Sequence, residues 1–479
     1  MTAAEAPSTT GWEVVVGLEV HCELATATKL FCGCRNAFGD EPNTNLCPVC
    51  LGLPGSLPVL NRAAVDFAMR LGTALGCTVQ SSIFHRKNYF YPDMPKDYQV
   101  SQYDRPVNVD GRLELPDGSV VRIERAHLEE DTGKSTHVGG GGRIHEAERS
   151  LVDYNRAGVP LLEIVSAPDL RSADEARAYV SELRSVLLAT GVSDARMEEG
   201  SLRVDANVSV RREGSTAYGT RCEVKNMNSL RSLGRAIAFE ASRQVDLLER
   251  GERVVQETRH WDEGSGRTSS LRSKEEAFDY RYFPEPDLVP VEPEAAQLDA
   301  VRSALPTLPA ERRVRLVGGT GARPDAAALL VERGLDELVL EAVAAGADAG
   351  RAVNHAEHGL AGGPGALTAG ALAALTGLEA EGKLTPTQAK AVLAELVDQG
   401  GDPAAVAAAK GFEALPEDEL AALVDEAIAA APDAWERYLA GNAKVAGAIV
   451  GAVMKATKGR ADARAVTALL EQKAAASRG

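Results

Sequence analysis

Apolar and polar residues alternate from Trp12 to Leu24, and the same period-two pattern returns in Gly76–Tyr91, Val107–Leu128 and Leu202–Val210. Each of these segments predicts a β-strand with one buried face. Gly111-Arg-Leu-Glu-Leu-Pro-Asp-Gly-Ser-Val predicts two short strands around a turn at Asp117-Gly118. Three segments have apolar residues at three- and four-residue steps instead: Arg62–Leu75, Ala173–Thr190 and Ser229–Arg250. They predict amphipathic helices, the second with Ser172 as N-cap and Glu175 completing a capping box. The pattern changes after the proline-rich run Pro284–Pro293, which reads as a linker. Strand signals fade beyond it, alanine and leucine dominate, and helices alternate with breaks at Gly318-Gly319, Gly362-Gly363-Pro364 and Gly400-Gly401. A further boundary falls near Lys410-Gly411, with Pro416-Glu-Asp-Glu-Leu as the next helix start.

The polar faces of the strands are charged. Alternation puts Glu19, His21 and Glu23 on one face, with Leu18, Val20, Cys22 and Leu24 on the other. In Leu202–Val210 the polar face is Arg203, Asp205, Asn207 and Ser209. Acids also stand among apolar residues at Glu163, at Glu223 with Lys225 and Asn226, and in His127-Leu-Glu129-Glu130-Asp131. One such strand is an ordinary solvated face. Several in one sheet would form a cup of negative charge, in which carboxylates repel unless a cation sits among them. Magnesium suits such a cup, since it takes few carboxylates together with substrate phosphates. Phosphoryl transfer follows as the candidate chemistry, with Lys87, Arg203 and Lys225 placed to meet phosphates or developing charge. Gly139–Gly142 lacks the Lys-Ser/Thr of a P-loop and reads as a hairpin tip. If ATP is used, neither common nucleotide fingerprint serves it.

Four cysteines lie together as Cys32-Gly-Cys34 and Cys47-Pro-Val-Cys50. Two knuckles at this spacing can close a tetrahedral thiolate shell, which suits structural zinc; reduced surface thiols or two disulfides are the alternatives. Cys22, Cys77 and Cys222 read as small buried hydrophobes. The odd total of seven and the lack of a signal-like N-terminus argue against an oxidised secreted scaffold. No run of about 18 apolar residues predicts a membrane span, so a cytoplasmic location is expected. The 479 residues predict two to four domains. A net charge of −17 excludes a broadly basic nucleic-acid coat, yet from Lys444 onward seven Lys or Arg face only Asp462 and Glu471.

These segments also carry a resemblance. Gly17-Leu-Glu-Val-His21, Arg86-Lys-Asn-Tyr-Phe-Tyr-Pro-Asp93, Tyr98-Gln-Val-Ser-Gln102, His127–Asp131, Met197-Glu-Glu-Gly-Ser-Leu202, Val224-Lys-Asn226 and Asp279-Tyr-Arg-Tyr-Phe-Pro-Glu-Pro-Asp287 resemble the B subunits of tRNA-dependent glutamyl/aspartyl amidotransferases. The resemblance runs nearly the whole chain and is most specific up to Pro293. It implies an α+β fold. Residues 1–293 would form an antiparallel-sheet catalytic cradle similar to the glutamine synthetase catalytic fold, with a zinc-binding insert at 32–50. An all-helical domain at 294–410 and a small helical, tRNA-binding tail at 411–479 would follow.

The implied reaction uses ATP to phosphorylate the side-chain carboxylate of Glu-tRNA(Gln) or Asp-tRNA(Asn), after which ammonia displaces the phosphate and forms the amide. The resemblance places magnesium at Glu19, His21, Glu130, Glu163, Asp205 and Glu223, and zinc at Cys32, Cys34, Cys47 and Cys50. Lys87, Glu130 and Lys225 would be catalytic, with Lys87 where ammonia emerges from a channel. Arg203, Lys225 and Asn226 would bind the nucleotide. The chain has no Ser-rich amidase signature and no Cys–His glutaminase arrangement. An amidase A subunit would therefore supply ammonia, and a small C subunit would clasp the two. Such an obligate complex implies a large apolar patch on this chain. Two other classes remain open on the residues alone: a metal-dependent hydrolase, and a zinc-ribbon RNA-binding scaffold without an active site.

Overall fold

The computed structural model describes residues 10–139, 147–273, 280–412, 417–440, 442, 445–457, 461 and 463–478. Gly140, Gly141 and Gly142, Asp279, Pro416, and Lys444, Lys458, Arg460 and Asp462 of the basic tail lie outside the described residues. The chain divides into two units, Met1–Glu311 and Arg312–Gly479.

The first unit contains β1 (Trp12–Glu23), β2 (Thr78–Val79), β3 (His85–Asn88), β4 (Tyr98–Ser101), β5 (Asn108–Glu114), β6 (Val120–Glu130), β7 (Lys134–Val138), β8 (Arg149–Asp153), β9 (Pro160–Ser166), β10 (Leu202–Arg212), β11 (Cys222–Met227), β12 (Glu257–Asp262), β13 (Arg267–Ser273) and β14 (Phe283–Pro284). Nine of them form one sheet in the order β13-β12-β11-β10-β1-β9-β6-β5-β2. Every neighbouring pair is antiparallel except β11 and β12. The fold is mixed α and β, with a large, mostly antiparallel sheet.

One face of this sheet is the core. Leu18, Val20 and Cys22 of β1, Leu162 and Ile164 of β9, and Val204 and Val208 of β10 are fully or almost fully buried there. They pack with Met69 of α1 (Arg62–Ala74), Tyr179 and Leu183 of α2 (Ala173–Thr190) and Leu233 and Ile237 of α3 (Leu230–Glu249). Each such aliphatic side chain stabilises the fold by about 1.5–3 kcal/mol. With that face committed to the helices, period two fixes the charged residues on the other.

The predicted helices form, and α2 starts where expected, with the Ser172 hydroxyl accepting from Glu175 N. The capping box is altered, because the Glu175 carboxylate accepts from Arg171 N at 2.8 Å rather than from Ser172. The hairpin at Asp117-Gly118 also forms: Gly118 has φ +85 and Asp117 accepts from Ser119 N. The segment 76–91 is not one strand. Ser82 exchanges two backbone hydrogen bonds with Val291, which draws the chain off β5, and β3 joins a separate sheet in the order β14-β3-β4.

The proline-rich run is tied to that small sheet. Glu285, 4% exposed, accepts from Arg86 Nε and Nη2 at 2.7 and 2.8 Å. The same guanidinium lies 4.3 Å over the Tyr98 ring. Replacing Glu285 with Ala is expected to cost about 2–3 kcal/mol, less than a fully buried pair because the Arg86 side chain is 22% exposed. Urea denaturation of the full chain measures this, and an unchanged midpoint would show the pair to be neutral.

The second unit is helical, from α4 (Pro309–Thr320), whose start lies just before the boundary, to the last helix, Ala463–Arg478. It holds two apolar clusters, one spanning Leu316 to Ala407 and one spanning Leu420 to Leu470. Among the described residues, no helix is long and apolar enough to cross a membrane.

Candidate active site

The register of the sheet brings the charged residues into rows. His21 on β1 lies opposite Arg203 on β10 and Glu163 on β9, and Glu163 lies opposite His127 on β6. In the next row Glu19 faces Asp205, and beyond it Asn207 pairs with Glu223 on β11. This charged face lines a cavity of about 720 Å³ that also holds Lys87 and Lys225. Glu19, His21, Glu163, Asp205 and Glu223 are thereby brought together.

Contacts within the cavity balance the charge. Glu163 Oε2 lies 3.5 Å from His21 Nε2 and 3.7 Å from His127 Nε2. Lys225 Nζ lies 2.7 Å from Asp205 and 3.5 Å from Glu223. Glu19 accepts from Asn207 Nδ2 at 2.9 Å, and Glu223 accepts from Thr258 at 2.8 Å. Burial opposes charge on His21, but the hydrogen bond and charge of Glu163, with Asp205 and Glu129, override it and push its pKa up to about 9. Glu163 is held well below the usual carboxylate range: burial opposes ionisation, and the two histidines outweigh it. A proton on His21 thus supplies positive charge that a bound cation could supply instead.

Ligand atoms of His21, Glu129 and Glu163 all lie within 4.8 Å of one another and could hold a metal ion. The structure places Glu129, not Glu130, in this group. Leu128 is fully buried in the core, so Glu130 shares the core side of β6 while His127, Glu129 and Asp131 line the cavity. Glu130 is 2% exposed and accepts from Lys96 Nζ at 2.5 Å and Val100 N at 2.8 Å. Nor does Asn226 line the cavity. A register shift on β11 and a φ of +72 turn it instead to a neighbouring cavity that Arg203 and Asp205 also line, where its amide meets His260 and Trp261 O.

Arg203 belongs to a second network. Its Nη2 donates to Asp131 at 2.7 Å, and Glu23 lies 3.4 Å from Nη1. Asp131 is pushed down to about 2: burial resists this, and Arg203 and Arg156 outweigh it. Glu23 is pushed up to about 8, by burial first and then by Asp131. A further cavity of about 620 Å³ adjoins here, with Arg156, Arg203 and Asp205 lining both. Sequence reasoning named His127 and Asp131 within the acidic cluster without giving them a role, and it missed Arg156. The alternation His127-Leu-Glu129-Glu130-Asp131, set in register by Leu128, carried the signal for the first two.

Cys32, Cys34, Cys47 and Cys50 have their sulfurs within 4.8 Å of one another and form no disulfide. Cys47 N donates to Cys50 Sγ at 3.1 Å, as expected of a knuckle that presents a thiolate. The hydrogen bond from Cys32 is the main cause of a Cys50 pKa of about 5. Four converging thiols of this kind could hold one ion.

Residues 14–299 match the family described as the GatB/GatE catalytic domain, and residues 350–474 match the GatB domain. A relative from Frankia casuarinae is 52% identical, covering 96% of this chain and 95% of its own length. One from Mycobacterium tuberculosis is 50% identical, covering 96% and 94%. One from Salinispora arenicola is 50% identical, covering 96% of each. All three are named as the B subunit of an aspartyl/glutamyl-tRNA(Asn/Gln) amidotransferase.

Proposed function

As this chain belongs to the family of aspartyl/glutamyl-tRNA(Asn/Gln) amidotransferase B subunits, we propose that it performs the two chemical steps of amidation. A side-chain carboxylate oxygen of Glu-tRNA(Gln) or Asp-tRNA(Asn) attacks the γ-phosphorus of ATP, and ADP leaves. Ammonia then attacks the acyl carbon, loses a proton and expels inorganic phosphate. The observation that carries this reading is the convergence of His21, Glu129 and Glu163 within 4.8 Å on the charged floor of a 720 Å³ cavity. The cradle would then be a sheet of the glutamine synthetase kind.

The donor set fits magnesium: carboxylates with one imidazole, and a buried Asn207 Oδ1 without a partner beside Glu19. His21, Glu129 and Glu163 would hold it, with Glu19, Asp205 and Glu223 around them. When bound, it neutralises phosphate charge. Lys225, kept protonated by Asp205 and Glu223 against the cost of burial, gives a fixed cation for phosphate oxygens. Asp131 and Glu23 hold Arg203 in the same role. Lys87 Nζ lies 4.7 Å over the Tyr280 ring and lines the cavity, and it would stand where ammonia meets the acyl group. The four cysteines fit zinc as a structural ion. An amidase A subunit would deliver ammonia, a C subunit would clasp the pair, and the helical parts at 294–410 and 411–479 would hold the tRNA.

The test is to assemble the chain with its A and C partners and supply ATP, glutamine and each misacylated tRNA in turn. ATP consumption that requires the misacylated tRNA is expected. Turnover without nucleotide would favour a hydrolase instead. Within this complex, Glu129→Gln is expected to lower amide formation by about a hundredfold or more, through loss of one donor. Glu130→Gln should act mainly on stability, by breaking its buried pair with Lys96. Equal catalytic losses with unchanged stability would reverse the two assignments.

A further inference from the structure

A pair of tyrosines stands at one side of the cavity. Tyr103 and Tyr282 stack with centroids 4.2 Å apart and rings within 8° of parallel. Both line the cavity. Tyr282 is half-buried and meets Tyr280 edge-on at 6.1 Å, whereas Tyr103 is 48% exposed. The stack therefore runs from the cavity wall to Tyr103, which meets the His85 ring edge-on at 6.1 Å and keeps about half its surface open to solvent. A parallel ring pair with an accessible outer ring is the geometry on which a nucleobase adds a further layer.

Its position selects the base. Tyr103 follows β4, whose Ser101 hydroxyl donates to Glu129 at 3.2 Å, so the pair lies on the β6 side of the carboxylates. Arg203 and Lys225, the cations suited to a nucleotide's phosphates, stand on β10 and β11 at the opposite side. The second cavity meets the first at Arg156, Arg203 and Asp205, and the last two of these stand on β10. In phosphoryl transfer the attacking and leaving oxygens lie roughly in line, so acceptor and nucleotide approach from opposite sides. An aminoacyl side chain entering from the β6 side is joined to its terminal ribose by a few methylenes and an ester. The base on that ribose must sit near the rim.

Resting on the proposed amidation reaction, we infer that the Tyr103–Tyr282 stack is the platform for the 3′-terminal adenosine of the misacylated tRNA. Tyr103 gives the contacting face and Tyr282 fixes its orientation. The platform binds the substrate's end in a sequence-tolerant way, since every tRNA presents the same terminal base there.

Steady-state kinetics of the assembled complex test this with Tyr103→Ala and Tyr103→Phe. Tyr103→Ala is expected to raise KM for misacylated tRNA by about fivefold or more, the range of one lost base stack, with KM for ATP unaltered. Tyr103→Phe keeps the ring and is expected to restore the KM for tRNA. A 3′-glutamylamino-3′-deoxyadenosine probe should inhibit the wild-type complex and lose potency against Tyr103→Ala in parallel. A rise in KM for ATP alone would assign the stack to the nucleotide's adenine and overturn the inference. No change in either KM, or an equal rise in both, would make the pair packing only. Failure of the amidation reading itself would show earlier, as a wild-type complex without tRNA-dependent ATP consumption.

Discussion

Glu19→Ala in the assembled complex is expected to lower amide formation by about 10²–10³-fold or more while glutamine hydrolysis by the partner continues. Glu19 sits mid-sheet, opposite Asp205, at the centre of the charged face. Its carboxylate accepts from Asn207 and lies among the groups that hold Lys225 charged. Removing it takes an oxygen donor from the proposed cation site and leaves Asn207 without that partner. The apolar face of β1, with Leu18 and Val20 fully buried, is untouched, so the sheet should persist. Parallel assays of ammonia release and amidated tRNA read the two outcomes separately. Loss of both would mean that the substitution disturbs assembly, and retention of both would remove Glu19 from the site.

Cys32→Ser and Cys47→Ser are each expected to abolish bound zinc and lower stability by roughly 3–5 kcal/mol, with a smaller effect on turnover per folded molecule. The knuckles cap a segment that reaches the core: Lys29 N donates to Cys34 O, and Leu30 N donates to Gly158 O. Phe31 beside them packs edge-on against Phe84, with ring centroids 5.7 Å apart. Releasing the ion frees this segment to lose those contacts, none of which is made by Glu19 or Asp205. Metal analysis of freshly reduced protein, with thermal unfolding of wild type and variants, measures the effect. Wild-type protein without zinc, or variants with an unchanged midpoint, would refute a structural ion.

Much of the large sheet was legible because the core face of β1 is apolar throughout, that of β10 from Leu202 to Val210, and that of β9 up to Ser166. Once Leu18, Val20 and Cys22 point inward, Glu19 and His21 must point outward together. β12 and β13 were not legible, because their burial is carried by paired charges. Arg259, 9% exposed, bonds Thr268 and lies 3.3 Å from the fully buried Glu240, which also binds Arg243 and Gln244. Such a network reads as polar loop in a one-dimensional pattern. The choice between Glu129 and Glu130 was within reach by parity with Leu128. The turn of Asn226 from the larger cavity to its neighbour was not, since it depends on a register shift against β10 that only the folded pairing reveals.

The bond between Arg86 and Glu285 joins positions 199 residues apart. A ribosome exposes β3 long before it exposes β14, so Tyr282 and the outer wall of the cavity come into place only near the end of the first unit's synthesis. Until then Arg86 lacks its carboxylate, and the cavity lacks the tyrosines of that wall. A chain ended between Ser273 and Tyr280 would therefore keep all nine strands of the large sheet and lack the wall that Tyr280 and Tyr282 give the cavity.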